Sequence, residues 1–330
     1  MDPAAPPRIA TRLTGLLGIA HPILSAPMAA AGGGALAAAV TRAGGLGLIG
    51  GGYGDGAWLA REFQAAGNEQ VGCGFITWAL EKQPHLLGEA LARQPRAIML
   101  SFGDPRPFAE QIHKAGAALI CQCQTLAHLR EAAEAGAAII VAQGAEAGGH
   151  GHSRGTLSFT PEAADWLAAH APGIVLVAAG GIADGRGLAA ALALGAEGVL
   201  MGTRFWASRE ALVHERHHAA ILADTGDGTR RSSAPDVARR LDWPKPFTIR
   251  VRDNAFLRRW HGREEALAAA IETEAPAYAA AFAAGDPEAA AVVYGEAAGL
   301  IGDIAPAGDI VARIVAEAAG ILARGPARLA

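Results

Sequence analysis

Three cysteines in 330 residues, Cys73, Cys121 and Cys123, give no even-numbered framework of paired thiols in loops. All three fall in apolar runs, so free thiols in a reducing compartment, the cytoplasm, are expected. Aromatic residues are scarce as well, at 5% of the chain, while the 51% hydrophobic content rests on alanine and its neighbours, with 43 glycines besides. Small side chains in that proportion suit closely packed α/β layers. Neither sign of charge prevails: a net charge of −4 gives no bulk attraction to nucleic acid or to an anionic membrane. Met1-Asp2-Pro3 offers no basic leader. The stretch 13–41 lacks Asp, Glu, Lys and Arg and is long enough to span a bilayer, but His21, Pro22, Pro27 and Gly32-Gly33-Gly34 break it as a helix. A strand, a loop and a short helix account for it better. Gly50-Gly51-Gly52-Tyr53-Gly54 lacks the spacing of a dinucleotide fingerprint.

What is present is a rhythm. Apolar, strand-like runs recur at 22–26, 46–50, 71–77, 97–101, 118–123, 138–143, 174–179 and 198–202, and they are near-continuous rather than alternating. Strands covered on both faces read this way. Helix-like segments lie between them at 35–43, 107–115, 126–135, 161–170 and 188–194, most closing on Gly-Ala or Gly-Gly, the C-cap that returns the chain to the next strand. Eight strands in right-handed βα units close most simply into a (β/α)8 barrel, α/β in class. After Phe205 the texture changes: between 212 and 263 eleven Lys and Arg face six acids, and an alanine-rich helical pattern follows. We expect a barrel over 1–211 plus 301–330, with a smaller, mainly helical, substrate-side subdomain inserted at 212–300. An amphipathic pattern at 309–323 is expected to complete the outer ring of helices.

Candidate chemistry gathers at the strand exits. Ala179-Gly180-Gly181 follows the seventh strand and Met201-Gly202-Thr203 the eighth, where barrels commonly bind phosphate through main-chain N–H groups and a helix N-terminus. Asp184 can cap the helix that follows; βα turns are also glycine-rich for ordinary reasons. Ala147-Gly148-Gly149-His150-Gly151-His152 sets an imidazole at the exit of the sixth strand, on the face where barrels place catalysis, with glycine letting a ligand approach closely. His150 and His152 together raise a metal question, but no carboxylate or third histidine at a strand exit completes a site, so no metal is expected. Gln122 and Gln143 end the fifth and sixth strands; they suit hydrogen bonding to a neutral heterocycle, or are ordinary rim polars. His113, His128, His214, His217 and His218 read as peripheral. Arg204 is read either as phosphate charge or as an ion-pair partner. The basic insert is either a solvated surface or an overhang that concentrates anionic substrates.

Three runs taken together, Ala142-Gln143-Gly144…Glu146-Ala147-Gly148-Gly149-His150, Ala178 through Gly187, and Met201-Gly202-Thr203-Arg204-Phe205, resemble the nitronate monooxygenases, once called 2-nitropropane dioxygenases. Pro22-Ile23-Leu24-Ser25-Ala26-Pro27-Met28 and Gly295 through Ile301 are similar as well. The FMN-dependent enoyl-ACP reductases share most of these motifs. The resemblance implies a barrel holding FMN non-covalently. Gly180, Gly181, Gly202 and Thr203 would hold its phosphate, with Leu200 and Met201 alongside. Gln143, Gly148, Gly149, Ala26 and Met28 would lie by the flavin, and His150 would match the family's active-site histidine. Gly74 stands where many members carry asparagine, and Gln122 where some carry lysine near the flavin's pyrimidine edge.

The function so implied is FMN-dependent oxidation of alkyl nitronates by O2 to a carbonyl compound and nitrite. The alternative is NAD(P)H-dependent reduction of a quinone or an enoyl thioester. A phosphate-binding barrel isomerase or lyase without flavin is a third reading. A small anionic substrate and O2 are the expected partners, with NAD(P)H and self-association as further candidates and neither nucleic acid nor membrane among them.

Overall fold

The computed structural model describes residues 8–324. Eight parallel strands close a barrel: β1 (Ile23–Ser25), β2 (Leu46–Gly50), β3 (Gly72–Ile76), β4 (Ala97–Ser101), β5 (Ala118–Cys123), β6 (Ile139–Gln143), β8 (Val175–Ala179) and β9 (Val199–Met201). Closure is through β9 on β1, with Leu24 opposite Leu200. The eight expected runs are these eight strands, trimmed at their ends. Their alternate side chains fill two cores. Leu24, Leu48, Met99, Ile120, Val141 and Val177 pack inside the barrel, where Leu13 and Leu17 of the helix Arg12–Leu17 join them. Cys73, Ile98, Leu119, Cys121 and Ile140 face outward to the helices. All three cysteines are buried and free, and burial pushes their thiols up, Cys121 to about 12.

The glycines that close the helices do so in the left-handed region, Gly44, Gly116, Gly136 and Gly195 at φ 91°, 73°, 75° and 90°, where a Cβ would be strained. The helix expected at 309–323 runs Ala307–Ala323 and packs on the helix Gly185–Ala193 so closely that a Cβ at Gly185 would come within 2.5 Å of the Ala318 nitrogen. One helix boundary differs from expectation. Pro161 lies inside the helix Thr156–His170, which starts five residues earlier because Glu146 accepts the Thr156 amide and hydroxyl and so supplies a cap from outside the segment. Among the described residues no helix is long and apolar enough to cross a membrane.

The 212–300 segment carries helices, as the composition suggests, and also a hairpin that the basic character of the sequence concealed. β10 (Thr229–Ser232) and β11 (Thr248–Arg252) pair antiparallel, and β11 pairs in turn with β7 (Gly149–Gly151), a short strand from the loop after β6. In β11 Ile249 and Val251 are buried while Arg250 and Arg252 alternate with them, the period of two of a half-covered strand. Val251, Leu257, Trp260, Leu267, Tyr278 and Ala291 form a core of this segment's own.

Candidate active site

β7 makes His150 a strand residue, opposite Ile249 of β11, rather than a loop residue. Its ring is buried, and Nε2 lies 3.0 Å from both oxygens of Asp236, in the short helix Ala234–Ala238 of the inserted segment. A carboxylate only accepts, so Nε2 carries the hydrogen and donates it. In the neutral ring the lone pair is therefore on Nδ1, which has no hydrogen-bond partner among the described residues. Burial pushes the His150 pKa below its ordinary value; Asp236 pulls it back up in part, and Arg239 and Arg231 press it down. Asp236 is fixed from its other side by Arg239, 2.6 Å away.

Aromatic rings, scarce in the chain, gather here. Trp243 stacks on the imidazole at 3.3 Å between centroids and 8° between planes, and its Nε1 donates to the Tyr53 hydroxyl at 3.0 Å. Phe102 meets His150 edge-on at 6.2 Å and Trp243 at 5.1 Å. Phe102 has φ 65°, a left-handed conformation that costs a non-glycine residue about 1–3 kcal/mol and clusters at functional sites. From the barrel side, the Gln143 side chain donates to the His150 carbonyl at 3.0 Å and accepts from Gln124 at 2.9 Å. Gln143 is thus a positioning group for His150. Sequence reading found neither Asp236 nor Trp243. The signal was present in Trp243-Pro244-Lys245-Pro246-Phe247, a dense aromatic and proline cluster in an aromatic-poor stretch.

The glycine exits assemble on the neighbouring strands. Gly180 and Gly181 both have positive φ, 107° and 71°. Gly180 packs on Gly144 and Thr156, and Gly181 on Glu146. Among the described residues the amides of Gly180, Gly181, Gly202 and Thr203 have no acceptor. The Thr203 hydroxyl oxygen accepts from Gly295 at 3.0 Å, which leaves its own hydrogen to donate. A Cβ on Gly202 would meet only Ala26 and Met28, each at 3.7 Å, so those three residues converge around open space. Gly148 is pressed against the Tyr294–Gly295 backbone and Gly149 opens toward Val293. Leu200 points into the barrel; Met201 points out to the helices, and its carbonyl accepts from Ala26.

Several expectations change here. The helix after β8 does not present a free N-terminus: the Asp184 side chain takes the Gly187 amide and Glu317 takes that of Gly185, so the open amides here are those of the loops. Arg204 is the ion-pair partner, on Asp303 at 3.1 Å, and points away from the glycine exits. His128 is not peripheral; it reaches Gln124 at 3.2 Å. Much of the positive charge of the insert is paired within it, though Arg216, Lys245 and Arg263 make no ion pair among the described residues. Arg230 pairs with Asp253, Arg240 with Glu272, Arg259 with Glu274, and Arg252 with Asp224 and Glu288. Arg231 and Arg250 both donate to the Ala145 carbonyl and so clamp the loop that leads to His150. Burial brings Arg231 down to about 10. At Gly74 a Cβ would lie 2.3 Å from the Pro27 ring, which fills the space a side chain would need. Gln122 makes no side-chain hydrogen bond among the described residues and faces a cavity on the β4–β5 side of the mouth. His152 is half-buried, with Nδ1 against Ser153, and the described residues hold no metal-binding group of three His, Cys, Asp or Glu.

A sequence model described as nitronate monooxygenase matches residues 84–317. Nitronate monooxygenase of Neurospora crassa is 33% identical over 90% of this chain and 88% of its own length. The chain belongs to the nitronate monooxygenase family. It is an oxidoreductase by that membership. A carboxyl-CoA dehydrogenase of a methyl-oxo-octahydroindene in Mycobacterium tuberculosis is 32% identical over 67% of the chain and 62% of its own length. Among solved structures, FabK from Thermotoga maritima superposes with a TM-score of 0.84 at 30% identity, covering 97% of this chain and 99% of that one. A nitroalkane oxidase from Streptomyces ansochromogenes superposes at 0.79 with 27% identity, over 94% and 99%. Proteins of this family are flavin-dependent in general. Four acceptorless amides, a free hydroxyl hydrogen and open space over Gly202 fit the phosphate end of such a cofactor.

Proposed function

We propose that the protein oxidises nitroalkanes through their nitronates, using FMN and O2, to a carbonyl compound and nitrite. Gly180, Gly181, Gly202 and Thr203 would hold the FMN phosphate, with Ala26, Met28, Gln143 and the Gly148–Gly149 backbone beside the ring system. FMN, when bound, supplies the redox chemistry toward the nitronate and O2. The protein's own part is a proton transfer. His150 Nδ1 takes the α-proton of a neutral nitroalkane: the C–H bond breaks, an N–H bond forms, and the electron pair enters the nitronate. The resulting imidazolium is stabilised by Asp236 through Nε2 and donates from Nδ1 to the nitronate oxygen. The observation that carries this reading is the pinned tautomer, an Asp236-bound Nε2 that leaves a basic Nδ1. Trp243 covers one face of the ring and leaves the in-plane Nδ1 lone pair open.

The test is oxygen uptake by purified, flavin-loaded protein with nitroethane and with ethylnitronate, compared with His150→Asn. Normal turnover of nitroethane by that variant would remove His150 from the reaction. A second reading, NAD(P)H-dependent reduction, draws on the likeness to FabK and the CoA-ester dehydrogenase. It is weakened because most arginines of the insert are paired, which leaves few free charges for a dinucleotide. Anaerobic bleaching of the flavin by NADH or NADPH would favour it over the first.

A further inference from the structure

A cavity of about 360 Å3 lies beside His150, over the ends of β4 and β5. Pro244 and Phe247 of the inserted segment, Trp78 and Phe102 form its apolar walls, and Gln122 and Gln124 supply amides. Space is sufficient, since an aromatic ring needs a cavity on the order of 150 Å3. Its charged lining is of one sign: Glu81, Asp104 and Glu131, with no lysine or arginine. Of the cations nearby, Arg106 pairs with Asp104 at 2.8 Å and Lys82 lies over the Trp78 ring at 4.8 Å, while Lys245, between Pro244 and Phe247, is exposed and does not line the cavity. Burial holds His128, which also lines the cavity, below its ordinary pKa, so it adds no cation at neutral pH.

The cavity is one side chain from the imidazole. Phe102 is the shared wall, edge-on to His150 at 6.2 Å and to Phe247 at 5.2 Å. Its left-handed backbone sets that ring in the partition. Gln124 lines the cavity and donates to Gln143, which in turn holds the His150 carbonyl.

We propose that this cavity binds the non-reacting tail of the substrate, and that the tail is an uncharged aromatic ring; the inference rests on His150 being the base of nitroalkane oxidation. A ring finds three aromatic partners for edge-to-face or offset contact. A carboxylate tail would meet Glu81 and Glu131, neither in an ion pair among the described residues, and is disfavoured.

The experiment compares kcat/KM for 2-phenyl-1-nitroethane, nitroethane and 3-nitropropionate by oxygen uptake, on flavin-loaded protein. The phenyl substrate is expected to exceed nitroethane by ~10-fold or more, and 3-nitropropionate to fall below both. Phe247→Ala and the milder Phe247→Leu bring the phenyl-to-ethyl ratio toward one. In parallel, 2-phenylethanol, which has no nitro group to react, is expected to quench tryptophan fluorescence in the wild type and less so in Phe247→Ala. Preference for 3-nitropropionate, or nitroethane turnover with neither phenyl preference nor quenching, overturns the cavity's role alone. Phe247-dependent binding of 2-phenylethanol without any nitroalkane turnover sustains the ring site and overturns the reaction.

Discussion

Replacing Asp236 with asparagine is the sharpest test of the histidine's role, because the change is nearly isosteric and removes only a charge. Asp236 sits 3.0 Å from His150 Nε2 and 2.6 Å from Arg239. With an amide in its place, the imidazolium formed on proton abstraction loses its counter-charge and stays beside an unbalanced Arg239. A hydrogen bond to a charged partner contributes about 1.5–3 kcal/mol, and loss of an oriented base costs roughly 10²–10⁴ in rate. Turnover of neutral nitroethane should therefore fall about 10²–10⁴-fold. Preformed ethylnitronate needs no deprotonation, so its turnover should fall less than roughly tenfold. Oxygen-electrode measurements on both substrates give the ratio, with the flavin absorption spectrum as the check that the cofactor site is intact. The pH profile carries the same information. The base works when neutral, so kcat/KM for nitroethane is lost as pH falls through a pKa that burial holds below the ordinary 6.5. Asp236 raises that pKa, so in Asp236→Asn the acid limb moves to lower pH. Equal loss on both substrates, or a limb that does not move, would refute the assignment.

Four further outcomes follow from the geometry. Trp243→Ala uncovers His150, relieves the burial that depresses its pKa, and should shift the acid limb to higher pH in the nitroethane profile. Gly202→Val has room at its Cβ, so thermal unfolding of the flavin-free protein should change little while flavin is lost on gel filtration, because the new side chain fills the cradle between Ala26 and Met28. Gly74→Asn should destabilise the fold by about 1–3 kcal/mol in urea titration, since its Cβ overlaps the Pro27 ring. Burial and the neighbouring His214, His218 and Arg216 hold His217 at about 4. The unfolded chain takes up that proton first, so stability should drop by at most about 3 kcal/mol as pH falls from 6.5 to 4, and His217→Gln should flatten the slope.

The barrel was legible because its signals are local. A strand buried on both faces must be apolar throughout, and a helix returning to the next strand wants a left-handed glycine, as at Gly44 and Gly195. The cluster of open amides was legible for the same reason: Gly180, Gly181 and Gly202 present backbone, which a short motif specifies, and its assignment to a phosphate remains our proposal. The partner of His150 was not, because Asp236 is 86 residues away and reaches it only through the pairing of β7 with β11. Nothing near Asp236 marks it as different from other acids of the insert. Charge composition also misled in part: the arginines of 212–263 counted as free when read in line, whereas in three dimensions most of them answer carboxylates of the same segment or the carbonyl of Ala145.

His150 stands at a seam. Its main chain is hydrogen-bonded to the hairpin of the inserted segment and its carbonyl to the barrel through Gln143, while the cradle of open amides belongs to the barrel alone. Any breathing of the insert against the barrel therefore carries the base and its carboxylate together, stretching the Gln143 contact before the Asp236 one. Should the two parts move, admission of a ligand and preservation of the His150–Asp236 pair need not compete, because both partners lie on the same side of the seam.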